Sequence, residues 1–232
     1  MSVSRELLGL CRRADAALTL PKVSVLAIPE ANPTVGGAPE FGMVGLEDDC
    51  AGLYYAWLGD TQKNMPAKFA ETPFIGQSPL HLAALLESND EADRSLGIAA
   101  VNAITRFVYR RAAFQEPAAT SSVGGIDLGK TAHLGMVGNF PSLVAQAGKR
   151  GIRVTVIERK THMLRKDGDL EITADLDALK LCDAVILTGS TLINDSLDDV
   201  LAAMPVGARV TMIGPTCGFF PDPLLARLCC FV

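Results

Sequence analysis

No two of the six cysteines (Cys11, Cys50, Cys182, Cys217, Cys229 and Cys230) stand in a Cys-x-x-Cys pair, so neither a zinc ribbon nor a dithiol redox motif is written in the chain. The three histidines, His81, His133 and His162, are equally scattered, with no i, i+4 or His-x-His pair, and a metal site built from protein ligands alone is therefore not expected. Positive charge is in deficit. Twenty-one Lys and Arg face 26 Asp and Glu, for a formal net charge of −5, and no basic stripe with interleaved aromatics occurs; nucleic acid is not an expected partner. Apolar runs such as Ala184 to Leu187 are too short to span a bilayer, and the start Met-Ser-Val-Ser-Arg-Glu has no signal-like apolar core. No membrane partner is expected, and the cytoplasm is the expected compartment. There is also no GxxxxGK[ST] phosphate loop and no nucleophile elbow, so no catalytic residue is named and enzymatic activity stays open. In such a chain the thiols are expected to be reduced, with Cys11 and Cys182 in the core. Cys217, after Gly214-Pro215-Thr216 at a strand end, is placed where a thiol can face a ligand.

What is present is centred on His133 to Pro141, His-Leu-Gly-Met-Val-Gly-Asn-Phe-Pro. A short apolar strand, two glycines three apart (Gly135 and Gly138), and a proline able to open a helix make a strand, glycine turn, helix unit. The amides of Gly138, Asn139 and Phe140 are expected to face the positive end of a helix dipole, where an anion or polar ligand edge can sit. Arg153 to Ile157 reads as a second strand. Glu158 ends it about twenty residues after the turn, where dinucleotide folds place the carboxylate that holds a ribose. The third glycine position of that fingerprint is filled by Pro141, which argues against close pyrophosphate packing. Strand and helix then alternate: a polar loop with Lys160, His162, Arg165 and Lys166, a short helix near Asp175 to Leu181, strand Ala184 to Thr188, helix Ser196 to Met204 and strand Arg209 to Ile213. Such alternation predicts a parallel sheet, with ligand groups at the strands' carboxyl ends. Three of those ends carry Gly138-Asn139, Thr188-Gly189-Ser190-Thr191 and Gly214-Pro215-Thr216, a candidate rim that also takes in Asn194.

The first half reads differently. A helix over Arg5 to Leu18 precedes a strand at Val23 to Ile28 and a Pro- and Gly-rich loop at Pro29 to Pro39. Glu47-Asp48-Asp49 reads as a solvated turn before an apolar strand at Cys50 to Leu58, and Gln62 to Glu71 as loop. Ser78 and Pro79 begin an amphipathic helix that ends near Ser88. A second helix starts at Glu91 and contains Gly97-Ile98-Ala99-Ala100-Val101-Asn102-Ala103-Ile104. A helix apolar all round is buried, so Asn102 either bonds neighbouring backbone or looks into a cleft. From Gln115 to Lys130 the chain turns small and polar, as a linker does. The expected division is 1–115, a linker at 116–130, and 131–232.

Leu134-Gly135-Met136-Val137-Gly138-Asn139-Phe140-Pro141, Leu187-Thr188-Gly189-Ser190-Thr191-Leu192-Ile193-Asn194 and Gly214-Pro215-Thr216 together resemble the putative heavy-metal chelation domain family, a domain of unknown function. Ile75-Gly76, Ser88 and Ser95 to Ala103 look like the companion domain of that family, similar to the N-terminal domain of enolases. The resemblance runs from about Cys50 onward. It implies an α/β architecture: an enolase-N-terminal-like α+β domain followed by a Rossmann-like parallel-sheet domain, with a pocket between them. The sequence departs after Pro221-Asp222-Pro223, ending at Cys229-Cys230-Phe231-Val232 where the family usually continues into another strand and helix.

The expected function is binding of a small anionic ligand or a metal chelate in that pocket, lined by Asn102, Gly135, Gly138, Asn139, Glu158, Thr188, Ser190, Thr191, Asn194, Pro215 and Thr216. A chelated metal needs no protein ligand spacing, only hydrogen-bond donors and a nearby cation such as Lys160 or Arg165. The alternatives are an enzyme dependent on a nucleotide or S-adenosylmethionine, using Glu158, and a structural or interaction module. A small molecule and a second copy of the chain are the expected partners; the cofactor is either a chelate or a nucleotide-like ligand.

Overall fold

The computed structural model describes residues 1–29, 40–56, 61–70, 73–115 and 123–228. Residues 30–39 of the expected loop, the first part of the expected linker and the Cys229 to Val232 end lie outside that set. The chain is mixed α/β, with a three-stranded antiparallel sheet and a six-stranded, mostly parallel one. It divides into two compact units. Unit 1 comprises Met1–Glu116 together with Gly189–Ser196 and Gly214–Pro223; unit 2 comprises Pro117–Thr188, Leu197–Ile213 and Leu224–Val232. Two segments that follow strands of the second half in sequence thus belong to the first unit.

In unit 1, helix α1 (Val3–Leu18) is capped by Ser2, whose Oγ accepts from Arg5 N, and buries Leu7, Leu8, Cys11 and Ala14 along one face. Strands β1 (Val23–Ala27), β2 (Phe41–Leu46) and β3 (Ala51–Tyr55) form an antiparallel meander. Its second turn holds the acidic cluster: Glu47 Oε2 accepts from Lys22 N, Asp48 Oδ1 accepts from Cys50 N, and Asp48 pairs with Arg110. Those bonds make Glu47 and Asp48 turn and strap residues. The sequence gives no sign of β2, because Gly42 and Gly45 break its alternation. Gly42 is required there, since the ring of Tyr54 lies where a Cβ would stand.

Of the stretch expected as loop, Gln62 to Ala70 is described and is mostly helical, Glu71 lying outside the described residues. Helix α2 spans Thr61–Phe69, held by Met65 and Phe69, one turn apart and buried, and by Lys68 with Asp90 and Asp93 at 2.8 and 2.6 Å. Two apolar anchors in a polar stretch suffice once a neighbouring helix offers the carboxylates. Ser78 and Pro79 open helix α3 (Pro79–Ala83) as the sequence predicts, and a 3-10 turn carries it to Glu87.

Helix α4 (Glu91–Arg111) is the centre of unit 1. Asp90 caps it by accepting from Ala92 N and Asp93 N, and every residue from Arg94 to Thr105 is buried. Its backbone is approached closely on two sides. A Cβ on Gly52 of β3 would overlap Ala99 O and Ala103 N, and one on Gly97 would overlap the backbone at Leu86. The hydroxyls of Ser95 and Thr105 bond back to Glu91 O and Val101 O, which leaves Arg94 and Asn102 as the buried polar side chains with distant partners.

Unit 2 contains β4 (His133–Val137), α5 (Pro141–Gly148), β5 (Arg153–Ile157), β6 (Arg165–Asp167), β7 (Leu170–Thr173), β8 (Ala184–Thr188), α7 (Leu197–Ala202) and β9 (Arg209–Ile213). Unit 1 holds α6 (Ser190–Ile193), and α8 (Asp222–Leu225) ends the described elements. The sheet order is β6-β7-β5-β4-β8-β9, with only β6 antiparallel. Counted along the chain without β6, this is the 3-2-1-4-5 order of a doubly wound sheet, whose direction of winding reverses between β4 and β8. The expected polar loop after β5 is in part a hairpin, β6 to β7. Its Gly168-Asp169 turn, with Gly168 at φ 54°, is a signal the sequence carried, and all three residues of the edge strand β6 are exposed.

Replacing Gly52 or Gly97 by Ala should destabilise the protein by about 1–3 kcal/mol through overpacking against backbone. Gly148→Ala, where nothing lies within 4 Å of the added methyl, should be neutral or stabilising. Urea midpoints of the three variants check this; equal midpoints for Gly52→Ala and Gly148→Ala would contradict it.

Candidate functional site

The winding of the six-stranded sheet reverses between β4 and β8, and such reversals open a crevice at the strands' carboxyl ends. Gly138, directly after β4, has φ 94°, and a Cβ there would lie 2.9 Å from Thr188 Cγ2. The ends of β4 and β8 therefore touch through a glycine and a threonine. The amide of Gly138 does not face outward as expected: it donates to Ile157 O at 3.1 Å, continuing the β4–β5 ladder. The amides left at the mouth of α5 are those of Asn139, Phe140 and Ser142, since Pro141 has none and Leu143 N donates to Phe140 O. Glu158 stands at the end of β5, its amide donating to Thr173 O and its Oε1 accepting from Lys160 N at 3.1 Å. One carboxylate oxygen is thus tied into its own turn. Gly135 lies in the middle of β4, away from the turn. A Cβ there would press on Leu179 and Cys182 at 3.0 and 3.1 Å, so its glycine is explained by packing.

The other candidate residues lie in the two segments that belong to unit 1. Ser190 and Thr191 are buried on the single-turn helix α6. Asn194 Oδ1 accepts from Ser196 N and Oγ, which makes its carboxamide a turn cap. Pro215 is exposed at the start of a 3-10 turn, Pro215–Cys217. Thr216 is buried: its Oγ1 accepts from Tyr55 N at 3.0 Å and its carbonyl accepts from Asn102 Nδ2 at 3.0 Å. The second N–H of Asn102 goes to Leu53 O at 2.9 Å. Asn102 and Thr216, far apart in sequence, are therefore in direct contact.

Arg94 is the residue that the sequence reading passed over. It is 3% exposed, and its Nε donates to Leu192 O and Ile193 O at 2.8 and 3.0 Å. Its other nitrogens reach Ser88 O, Ser4 Oγ and Asp195 Oδ1, the last at 2.7 Å. A guanidinium can be buried at this depth only because its donors are met in this way. The available signal was spacing: Arg94 and Asn102 are eight residues apart on a helix otherwise apolar, and so share a face.

Three further features bear on metal. Among the described residues, no group of three His, Cys, Asp or Glu side chains is placed to hold an ion. His133 Nε2 pairs with Thr155 Oγ1 at 2.9 Å, and burial holds its imidazole below the usual range. Burial pushes the Cys217 thiol up to about 12, partly offset by a backbone hydrogen bond at Gly189.

Residues 123–228 match the family model DUF364, described as putative heavy-metal chelation. An uncharacterized protein of Methanocaldococcus jannaschii is 30% identical over 138 residues, 60% of this chain and 52% of that protein, so the chain spans about half the length of this relative. Two solved structures of unknown function from the same family share the fold. One, from Pyrococcus horikoshii, is 20% identical with a TM-score of 0.63, over 94% of this chain and 82% of its own. The other, from Desulfitobacterium hafniense, is 15% identical with a TM-score of 0.60, over 98% and 85%.

Because its thiol is held protonated, Cys217 should react with iodoacetamide far more slowly at pH 7.5 than a free cysteine does, its rate rising about tenfold per pH unit toward pH 11. Peptide mapping by mass spectrometry reads this. Rapid labelling at pH 7.5 would show a thiolate ready to bind metal.

Proposed function

We propose that residues 123–228, which match the putative heavy-metal chelation family model, bind a small anionic ligand at the carboxyl edge of the six-stranded sheet, and a chelated metal in preference to a bare ion. The observation that carries this reading is the junction of Gly138 with Thr188 at the winding reversal. It brings the Asn139 and Phe140 amides at the mouth of α5 close to a threonine end. Amides at a helix start favour negative charge, and hydroxyl and carboxamide groups suit the oxygen shell of a chelate. The donor set argues against a bare ion, since no group of three ligating side chains is present among the described residues.

A second reading has specific support. The 3-2-1-4-5 strand order and the place of Glu158 at the end of β5 are where a nucleoside's hydroxyls are held in dinucleotide folds. Pro141 in the third glycine position weighs against close pyrophosphate packing, so a nucleotide or S-adenosylmethionine comes second.

Calorimetric titration separates these readings. Iron(III) citrate and nickel(II) citrate should bind where nickel(II) alone does not, and Asn139→Ala or Thr188→Val should each weaken the chelate about tenfold, the value of one hydrogen bond to a charged group. Tight dinucleotide binding lost on Glu158→Ala would reverse the order of the two readings. Binding of neither class would leave an interaction module and overturn the proposal.

A further inference from the structure

Both N–H bonds of the Asn102 carboxamide are spoken for, by Leu53 O at 2.9 Å and Thr216 O at 3.0 Å. This fixes the orientation of the group, because the flipped amide would set its oxygen against two carbonyl oxygens. Oδ1 is therefore a true acceptor. It is buried, and no donor among the described residues reaches it. A buried acceptor left unmet costs about 1–3 kcal/mol, and such a group in a folded protein calls for a partner. The place where one can come is marked by a second residue. Gly218 is exposed, and a Cβ built on it would lie 3.4 Å from Asn102 Cβ and Cγ and 3.6 Å from Oδ1. The carboxamide thus lies one layer beneath the surface, under a position that carries no side chain. Conformation does not demand glycine here, since φ −79° and ψ 12° suit any residue.

We propose that Asn102 Oδ1 is the acceptor for a neutral N–H or O–H group of a small ligand that enters at Gly218. A neutral donor fits better than an ammonium or a metal ion, because a full charge would be buried against a single amide oxygen whose surroundings are already committed to each other. The site stands whatever binds at the carboxyl edge of the sheet, and its residues all lie within unit 1.

The probe pair is N-methylacetamide, which has one N–H donor, and N,N-dimethylacetamide, which has none. Each is titrated into the full chain and followed on the side-chain 1H–15N signals of Asn102. N-methylacetamide should shift those signals saturably and its dimethyl analogue should not. Gly218→Ala, whose methyl fits without strain but covers Oδ1, should weaken the first response about tenfold or more while leaving the thermal midpoint unchanged. Equal responses to the two amides, or none to either, overturn the proposal. So does a crystal structure from an N-methylacetamide soak in which water keeps Oδ1.

Discussion

Helix α4 has no solvent face between Arg94 and Thr105, and the side-chain donors it carries over those three turns are met inside the protein. Most of unit 1 follows from that constraint. Ser95 and Thr105 answer it within the helix, while Gly97 and Gly52 let Leu86 and β3 approach the helix backbone closely. Arg94 and Asn102 answer it at a distance. Arg94 takes the carbonyls of Leu192 and Ile193; Asn102 takes those of Leu53 and Thr216. The segments after β8 and β9 are thereby held by two side chains of one helix, two turns apart on one face.

That arrangement gives the candidate residues unequal standing. Thr216 and Asn194 spend polar atoms on main-chain and turn contacts, so they shape their segments, and Gly135 serves the packing of β4 against Leu179 and Cys182. Glu158 commits one carboxylate oxygen to Lys160 N at the end of β5. Among the thiols, burial raises Cys11 and Cys217 to about 12 and Cys182 to about 11.

Legibility in the sequence followed how far each element depends on local chemistry. Arg209 to Ile213 is a β-branched run and forms β9; Ser78-Pro79 is a cap and first turn and opens α3. The buried helix around Asn102 could be read from its all-round apolarity, and the contact of Asn102 with Thr216 was within reach of the same argument. What escaped depends on partners. Strand β2 hides two glycines that only the Tyr54 ring explains, α2 rests on Met65, Phe69 and carboxylates from α4, and Arg94 looks like any surface cation until Leu192 and Ile193 are placed beside it. The hairpin of β6 and β7 is different, since Gly168-Asp169 announced it locally.

The most direct measurement of this account is hydrogen exchange in an Arg94→Met variant, which keeps bulk and removes the donors. If α4 fixes the strand-end segments, amides in 189–196 should lose protection by about tenfold or more, the value of a charged hydrogen bond. Those of β4 and β5 should keep theirs. Unchanged protection in 189–196, or an equal loss throughout the chain, would contradict the claim that this buried side chain holds that segment in place.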